Sequence, residues 1–353
     1  MTPKRLVIGT FAISRGMMLI VAAYVMLSNN KSMADVLGNW DVQHFLAIAR
    51  NGYAEANDVA FFPGWPMVLR FIDFCGLPMI ATGALLATGL SAVAAAALYR
   101  IGGPMAAVVW LLAPTAVFTA VPYTESLFCA AAFWAWERAG SKHWGQAAGL
   151  AALAATVRVS GLFLIGALAL YALTQSGPWL IRFRRWLWLL IPAGVLATYV
   201  IYLYFLRGSW TVWYDAQVDG WYRGFTWPWD CLSNTIEASA DDAYPDSPEW
   251  HHIFRAETIS WVLGILTTIV CLFRKKLAEA AWVFVQVLAF CTSAWLMSVN
   301  RALLLWFPLW TELGGIANTR SPILRPLLAV AGAALLCLQC TWAWLFFTGH
   351  WAS

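Results

Sequence analysis

Apolar stretches of about 20 residues recur from one end of this sequence to the other, and no other feature constrains its fold as much. A helix rises about 1.5 Å per residue, so about 20 apolar residues cross the hydrocarbon of a bilayer. Of the 353 residues, 61% are hydrophobic and 11% charged, with a mean hydropathy of +0.66. Soluble chains carry about 25% charged residues, and a water-soluble core of this length does not absorb so much apolar surface. The pattern predicts helices over residues 6–27, 78–99, 102–121, 124–138, 145–158, 160–175, 186–206, 258–273, 278–298, 302–317 and 322–347. The expected architecture is an all-α polytopic membrane protein, a single domain over residues 1–353, with about 10–12 transmembrane helices. Lys4 and Arg5 precede the first apolar run. That run is longer than a signal-peptide core and no A-x-A-like site follows before Asn29, so it reads as an uncleaved first helix.

Charge orients the helices. With the N-terminus cytoplasmic, that side carries Lys4, Arg5, Arg100, Arg138, Lys142, Arg182, Arg184, Arg185, Arg274, Lys275, Lys276, Arg320 and Arg325. Only three acids accompany them: Glu137, Glu279 and Glu312. This asymmetry obeys the positive-inside rule. Two long connections, residues 28–77 and 207–257, then fall on the non-cytoplasmic side, and function is expected there. A net charge of +4 without a basic stripe excludes nucleic acid as a partner. The seven cysteines are scattered; Cys337 and Cys340 form a C-x-x-C without a second ligand pair, so all seven read as small buried hydrophobes.

The first connection contains Gly38-Asn39-Trp40-Asp41-Val42-Gln43-His44-Phe45-Leu46-Ala47-Ile48-Ala49-Arg50-Asn51-Gly52-Tyr53. From Asp41, helical spacing selects His44, Phe45 and Ile48 as one face of a short helix, which Asn39 is placed to cap and Gly52 to end. Asp41 then stands in the first turn beside Trp40, either complementing the helix dipole or serving as a reactive carboxylate. Ala60-Phe61-Phe62-Pro63-Gly64-Trp65-Pro66 follows; its prolines forbid a regular helix and its aromatics suit the wall of an interfacial cleft. Arg158 and Arg301 fall near helix ends on the same side, where an arginine either binds phosphate or pairs with an acid such as Glu125.

These blocks resemble the signature of the PIG-V-type mannosyltransferases, the GPI second-mannose transferases and their bacterial relatives within the GT-C class of membrane glycosyltransferases. The similarity continues through Pro114-Thr115-Ala116-Val117-Phe118, Tyr123-Thr124-Glu125-Ser126-Leu127-Phe128, Arg158-Val159-Ser160-Gly161 (with Ser160 where Asn is common), Ala216-Gln217-Val218-Asp219-Gly220-Trp221, and Asn300-Arg301 with Pro308. The resemblance implies a GT-C-type bundle with juxtamembrane helices on its non-cytoplasmic face. It also implies inverting transfer of mannose from a polyprenyl-phosphate mannose to a glycolipid, glycan or protein acceptor. Asp41 would be the catalytic carboxylate, Arg158 and Arg301 the donor-phosphate ligands, and Trp40, His44, Glu125, Gln217 and Trp221 the substrate contacts. Glu125 is alternatively a helix N-terminal charge or a group that orients its neighbours. The shortness of the chain points to a bacterial member in the inner membrane, with its site on the periplasmic side.

No cofactor or metal is expected. The D-x-D pair that holds a divalent ion in sugar-nucleotide transferases is missing, and Asp241, Asp242, Asp246, His251 and His252 lie in a loop that reads more simply as solvated acid. The alternatives are a GT-C enzyme for another sugar, a transporter or flippase of lipid-linked saccharide, and an inactive scaffold. Transporters carry paired repeats and broken helices at the midplane, and no convincing repeat is found here.

Overall fold

The computed structural model describes residues 2–247, 249–319, 321 and 323–352, and among these it consists of helices and the turns that join them. Helix α1 (Pro3–Ser28) leads into α2 (Met33–Leu37), α3 (Asp41–Asn51) and α4 (Gly64–Phe74), with a 3-10 turn at Ala56–Ala60 before α4. The centre is formed by α5 (Met79–Gly102), α6 (Pro104–Leu111), α7 (Glu125–Gly140), α8 (Trp144–Val157) and α9 (Ser160–Thr174). Helix α10 (Trp179–Leu187) turns into α11 (Leu190–Arg207), and α12 (Val212–Trp221) and α13 (Pro228–Ala238) occupy the second long connection. The remaining helices are α14 (Trp250–Phe273), α15 (Leu277–Phe290), α16 (Val299–Ala302), α17 (Phe307–Ala317) and α18 (Leu324–Thr348). The chain is an all-α polytopic membrane protein.

Among the described residues, five stretches are long and apolar enough to cross a membrane: α1, α5, α10 with α11, α14 and α18. The other expected spans are shorter helices, of which α9 and α15 still expose apolar side chains such as Leu162 and Phe284. Helix α7 is buried along nearly its whole length, packed between α5 and α8. Ala130, Ala131, Ala132 and Ala135 on α7 and Ala147, Ala151 and Ala154 on α8 are buried, and such small side chains let helix axes approach closely without a solvent-driven core.

The predicted helix 102–121 is broken. Gly103 and Pro104 separate α5 from α6, and Pro114 begins a 3-10 segment, Pro114–Thr119. Proline has no N–H to continue the ladder, and the freed carbonyls are met by side chains. Gln339 on α18 donates to the carbonyls of Leu111 and Ala113 at 2.9 and 3.0 Å. Arg15 on α1 donates to the carbonyl of Ala116 at 3.1 Å and to the Thr119 hydroxyl at 2.8 Å. Irregular backbone at membrane depth is tolerated when protein satisfies it in this way.

The expected helix 278–298 stops at Phe290, because the second long connection captures the next residues. The Thr226 N–H donates to the carbonyl of Thr292, and Asn234 donates to that of Ala294. Helix α14 conversely begins at Trp250, eight residues before its predicted start of 258; its first turns are polar and aromatic and give no hydropathy signal. The last predicted helix, 322–347, is described as α18, whereas Arg320, counted among the cytoplasmic cations, lies outside the described residues.

The bundle has two unlike ends. Arg100 and Arg138 share Glu137 at the far end of α7, and Arg274 and Lys276 share Glu312. The opposite end, where α7 and α14 begin and α8 finishes, is the mouth of a cavity.

Candidate active site

The cavity has a volume of about 550 Å³ and is walled by the two long connections and the irregular segment after α15. Of the eight residues selected from sequence, Trp40, Asp41, Arg158, Gln217, Trp221 and Arg301 line it.

Asp41 is the first residue of α3. Trp40 before it has φ 58°, a conformation that a bulky side chain rarely adopts. Its indole N–H donates to the carbonyl of His350 at 3.1 Å, which holds the residue there. The Asp41 N–H donates to the Tyr123 hydroxyl at 3.1 Å. Asn39 does not cap α3; its side-chain amide donates instead to the carbonyls of Val36 and Phe346, because the turn at Trp40 carries it away from the helix. Gly52 ends α3 as expected, with φ 71°. Asp41 is thus anchored at the cavity wall by its backbone, leaving the carboxylate to face other groups.

That carboxylate meets Arg301, whose Nη1 lies 2.6 Å from Asp41 Oδ2. The Arg301 guanidinium rests over the rings of Phe118 and Tyr123 at 5.5 and 5.3 Å, and its Nε is 3.3 Å from Glu125 Oε1. Burial lowers the proton affinity of this guanidinium, but Asp41 and Glu125 outweigh burial and hold it above its ordinary value. Arg158 donates from Nη1 to Glu125 Oε1 at 2.5 Å and to the Thr124 hydroxyl at 2.7 Å. Glu125 is completely buried and does not line the cavity. It sits behind the two arginines as their common counter-ion, in the first turn of α7.

His44 also lies outside the lining. Its ring stacks on Phe61 at 4.8 Å, meets the edge of Trp221 at 5.7 Å, and its Nδ1 is 3.4 Å from Asp58. It supports the aromatic wall from behind. Gln217 and Trp213 both donate to the carbonyl of Ala60, at 3.3 and 3.2 Å, so the second connection is stitched to the first. Phe61, Phe62 and Trp221 complete this side.

Two glycines in the motifs are required by close approach. A Cβ on Gly64 would lie 2.5 Å from the Thr156 hydroxyl oxygen and 2.7 Å from its carbonyl oxygen, and one on Gly161 would collide with the backbone of Ala155. The Arg158 turn depends on that contact. Gly161→Ala is therefore expected to cost about 1–3 kcal/mol through overpacking, read as a lowered midpoint of thermal unfolding in detergent; an unchanged midpoint would show that the turn adapts.

Two further residues were not found from sequence. Arg223 lines the cavity from the end of α12, where Tyr222 adopts a left-handed φ of 54° and turns the chain inward. Among the described residues no carboxylate lies within 4.0 Å of its guanidinium. Burial, reinforced by the charge of Arg301, pulls its pKa down to about 10, so it remains a cation at neutral pH. Glu257 on α14 is completely buried, and its carboxylate accepts from the N–H groups of Ser298 and Asn300, each at 2.9 Å. It thereby holds the start of α16, the short helix that carries Arg301.

The lining thus contains three arginines and one carboxylate in an aromatic cleft. Such a cleft is suited to a phosphate-bearing ligand with a sugar, since Arg forks phosphate oxygens and aromatic faces cover sugar rings. The acidic loop is engaged otherwise: Arg255 donates to Asp241 at 2.6 Å. Among the described residues no group of three or more His, Cys, Asp and Glu is arranged to hold a metal ion.

Residues 11–98 match the model of the family described as Mannosyltransferase (PIG-V). The chain is 36% identical over 152 residues to "GPI alpha-1,6-mannosyltransferase 2" of Rattus norvegicus, covering 37% of this chain and 30% of that protein. It is 32% identical to the Homo sapiens protein of the same name over the same shares. To "GPI mannosyltransferase 2" of Drosophila pseudoobscura pseudoobscura it is 28% identical over 199 residues, covering 48% and 44%. The matched segment thus spans less than half the length of these relatives. No solved structure matches the chain.

Proposed function

We propose that this chain, a relative of the PIG-V mannosyltransferases, is a GT-C-type membrane glycosyltransferase that moves mannose from a polyprenyl-phosphate mannose to a glycolipid, glycan or protein hydroxyl. The observation that carries the reading is one cavity holding both a positioned carboxylate, Asp41, and a cation with no carboxylate partner among the described residues, Arg223. The two long connections, 28–77 and 207–257, form the active-site face.

In this reading the acceptor oxygen attacks the anomeric carbon while its proton passes to the Asp41 carboxylate. The bond between that carbon and the phosphate oxygen breaks on the opposite face, the configuration inverts, and polyprenyl phosphate leaves with the electron pair. Arg223, with Arg158 and Arg301, meets the charge that develops on the leaving phosphate. Arg301 also pairs with Asp41 before substrate arrives. A donor phosphate that draws Arg301 toward itself frees the Asp41 carboxylate to face the acceptor hydroxyl as the site fills. The cations that recognise phosphate are thus supplied by the chain's own guanidinium groups.

The basic end of the bundle, with Arg100, Arg138, Arg274 and Lys276, lies opposite the cavity. By the positive-inside rule this supports a non-cytoplasmic active site; in a bacterial cell that is the periplasmic face of the inner membrane. Reconstituted full-length chain should release polyprenyl phosphate from polyprenyl-phosphate mannose in membranes that contain its acceptor, and should leave GDP-mannose intact. Consumption of the nucleotide sugar, or solute uptake without any transfer, would replace this function by another.

A further inference from the structure

We infer that the basic end of the bundle carries a second binding site, specific for the phosphate-bearing head group of an anionic phospholipid. A cavity of about 600 Å³ opens there between the turn before α8 and helix α10, lined by Lys142, His143, Arg184, Arg185 and Trp188 with no acidic residue. It is remote from the active site: α8 runs from Trp144 at this cavity to Val157 at the other, about 20 Å at the helical rise.

Two independent features select the ligand. The first is charge. The neighbouring cations of this end each have a carboxylate partner, Arg100 and Arg138 sharing Glu137, and Arg274 and Lys276 sharing Glu312. Lys142, Arg184 and Arg185 have no carboxylate within 4.0 Å among the described residues. Three convergent cations without counter-ions attract a phosphate, and Arg184 and Arg185 offer the forked donors that suit it.

The second is the helix itself. None of the residues of α10 is buried, and Trp179, Phe183 and Trp186 form a ladder of stacked rings spaced 6.4 and 6.3 Å. An amphipathic helix with arginines on one side and an exposed aromatic ladder, at the start of a 29-residue apolar stretch, stands at head-group depth. Trp188 and Leu189 keep right-handed helical dihedrals, so α10 leads directly into α11, the part that enters the hydrocarbon. The aromatic ladder covers acyl chain while the cations sit at phosphate depth, which favours a lipid head group over a free anion.

The test is native mass spectrometry of the full chain in detergent, titrated separately with phosphatidylglycerol, phosphatidylcholine and inorganic phosphate. Phosphatidylglycerol should bind at least about tenfold more tightly than phosphatidylcholine, given three basic groups near the surface. The triple variant Lys142→Gln/Arg184→Gln/Arg185→Gln should reduce it to the phosphatidylcholine level, whereas Arg184→Lys/Arg185→Lys should retain most of the preference. Should the triple variant not fold, the wild-type preference is still expected to vanish in about 1 M salt, where screening acts within about 3 Å. Equal binding of both lipids, or a preference indifferent to salt and to the substitutions, would overturn the site. Inorganic phosphate bound as tightly as phosphatidylglycerol would overturn the lipid assignment. None of these measurements depends on sugar transfer, so the site stands or falls separately from the proposed reaction.

Discussion

Asp41→Asn should lower mannosyl transfer by roughly 10²–10⁴-fold, the usual contribution of a positioned general base, while leaving the fold intact. The substitution is nearly isosteric. The backbone bond from the Asp41 N–H to Tyr123 does not involve the side chain, and Arg301 keeps Glu125 as a counter-ion. What is lost is the acceptor for the proton of the attacking hydroxyl. Donor binding should survive, because the arginines remain. A variant that still transfers at the wild-type rate, or that loses donor affinity and rate together, would refute the assignment of Asp41 as the base.

Arg223→Gln should weaken donor affinity by roughly 10–100-fold, as expected for the loss of one charge-assisted hydrogen bond worth about 1.5–3 kcal/mol. The three arginines are not equivalent. Arg158 is committed to Glu125 and Thr124, and Arg301 to Asp41. Arg223 is held in the cavity at the expense of its own hydration, with a pKa pulled down to about 10, and a phosphate relieves that cost directly. Removing it should therefore raise the KM for donor more than it lowers kcat. Arg223→Lys should recover part of the affinity, because it restores the charge without the fork. If the KM for donor stays at the wild-type value in both variants, the phosphate is held elsewhere.

Replacing Glu257 tests how Arg301 is positioned. Glu257→Gln leaves one carbonyl oxygen where two carboxylate oxygens accepted the N–H groups of Ser298 and Asn300. The expected result is a loss of about 1–3 kcal/mol from unmet buried donors, measured by thermal unfolding, together with reduced transfer. Reduced transfer with full stability would point to a direct role for this carboxylate instead.

Much of this protein could be read from its residues because the bilayer is a strict solvent. Hydropathy located α1, α5, α9, α14 and α18 to within a few residues, except for the polar start of α14. It failed where proline or a captured carbonyl ended a helix inside the protein, as at Pro114 and after Phe290, since a buried break is as apolar as a continuous helix. The Asp41 block was legible because its polar residues stand at helical spacing in an otherwise apolar chain. Arg223 and Glu257 were not: neither lies in a periodic motif, and each acquires meaning only from residues distant in sequence, Asp41 and Arg301 for Arg223, Ser298 and Asn300 for Glu257.

By itself, then, the sequence determined a polytopic helical bundle, its charge asymmetry, and a carboxylate and arginines gathered toward one end. Those follow from transfer free energies and helical spacing, which are local properties of the chain. Only the tertiary structure decided which arginine is left without a counter-ion, since pairing depends on distances of a few ångströms between segments far apart in sequence. It paired Arg301 with Asp41 and Arg158 with Glu125, and it turned Arg223 into the cavity through the left-handed residue Tyr222.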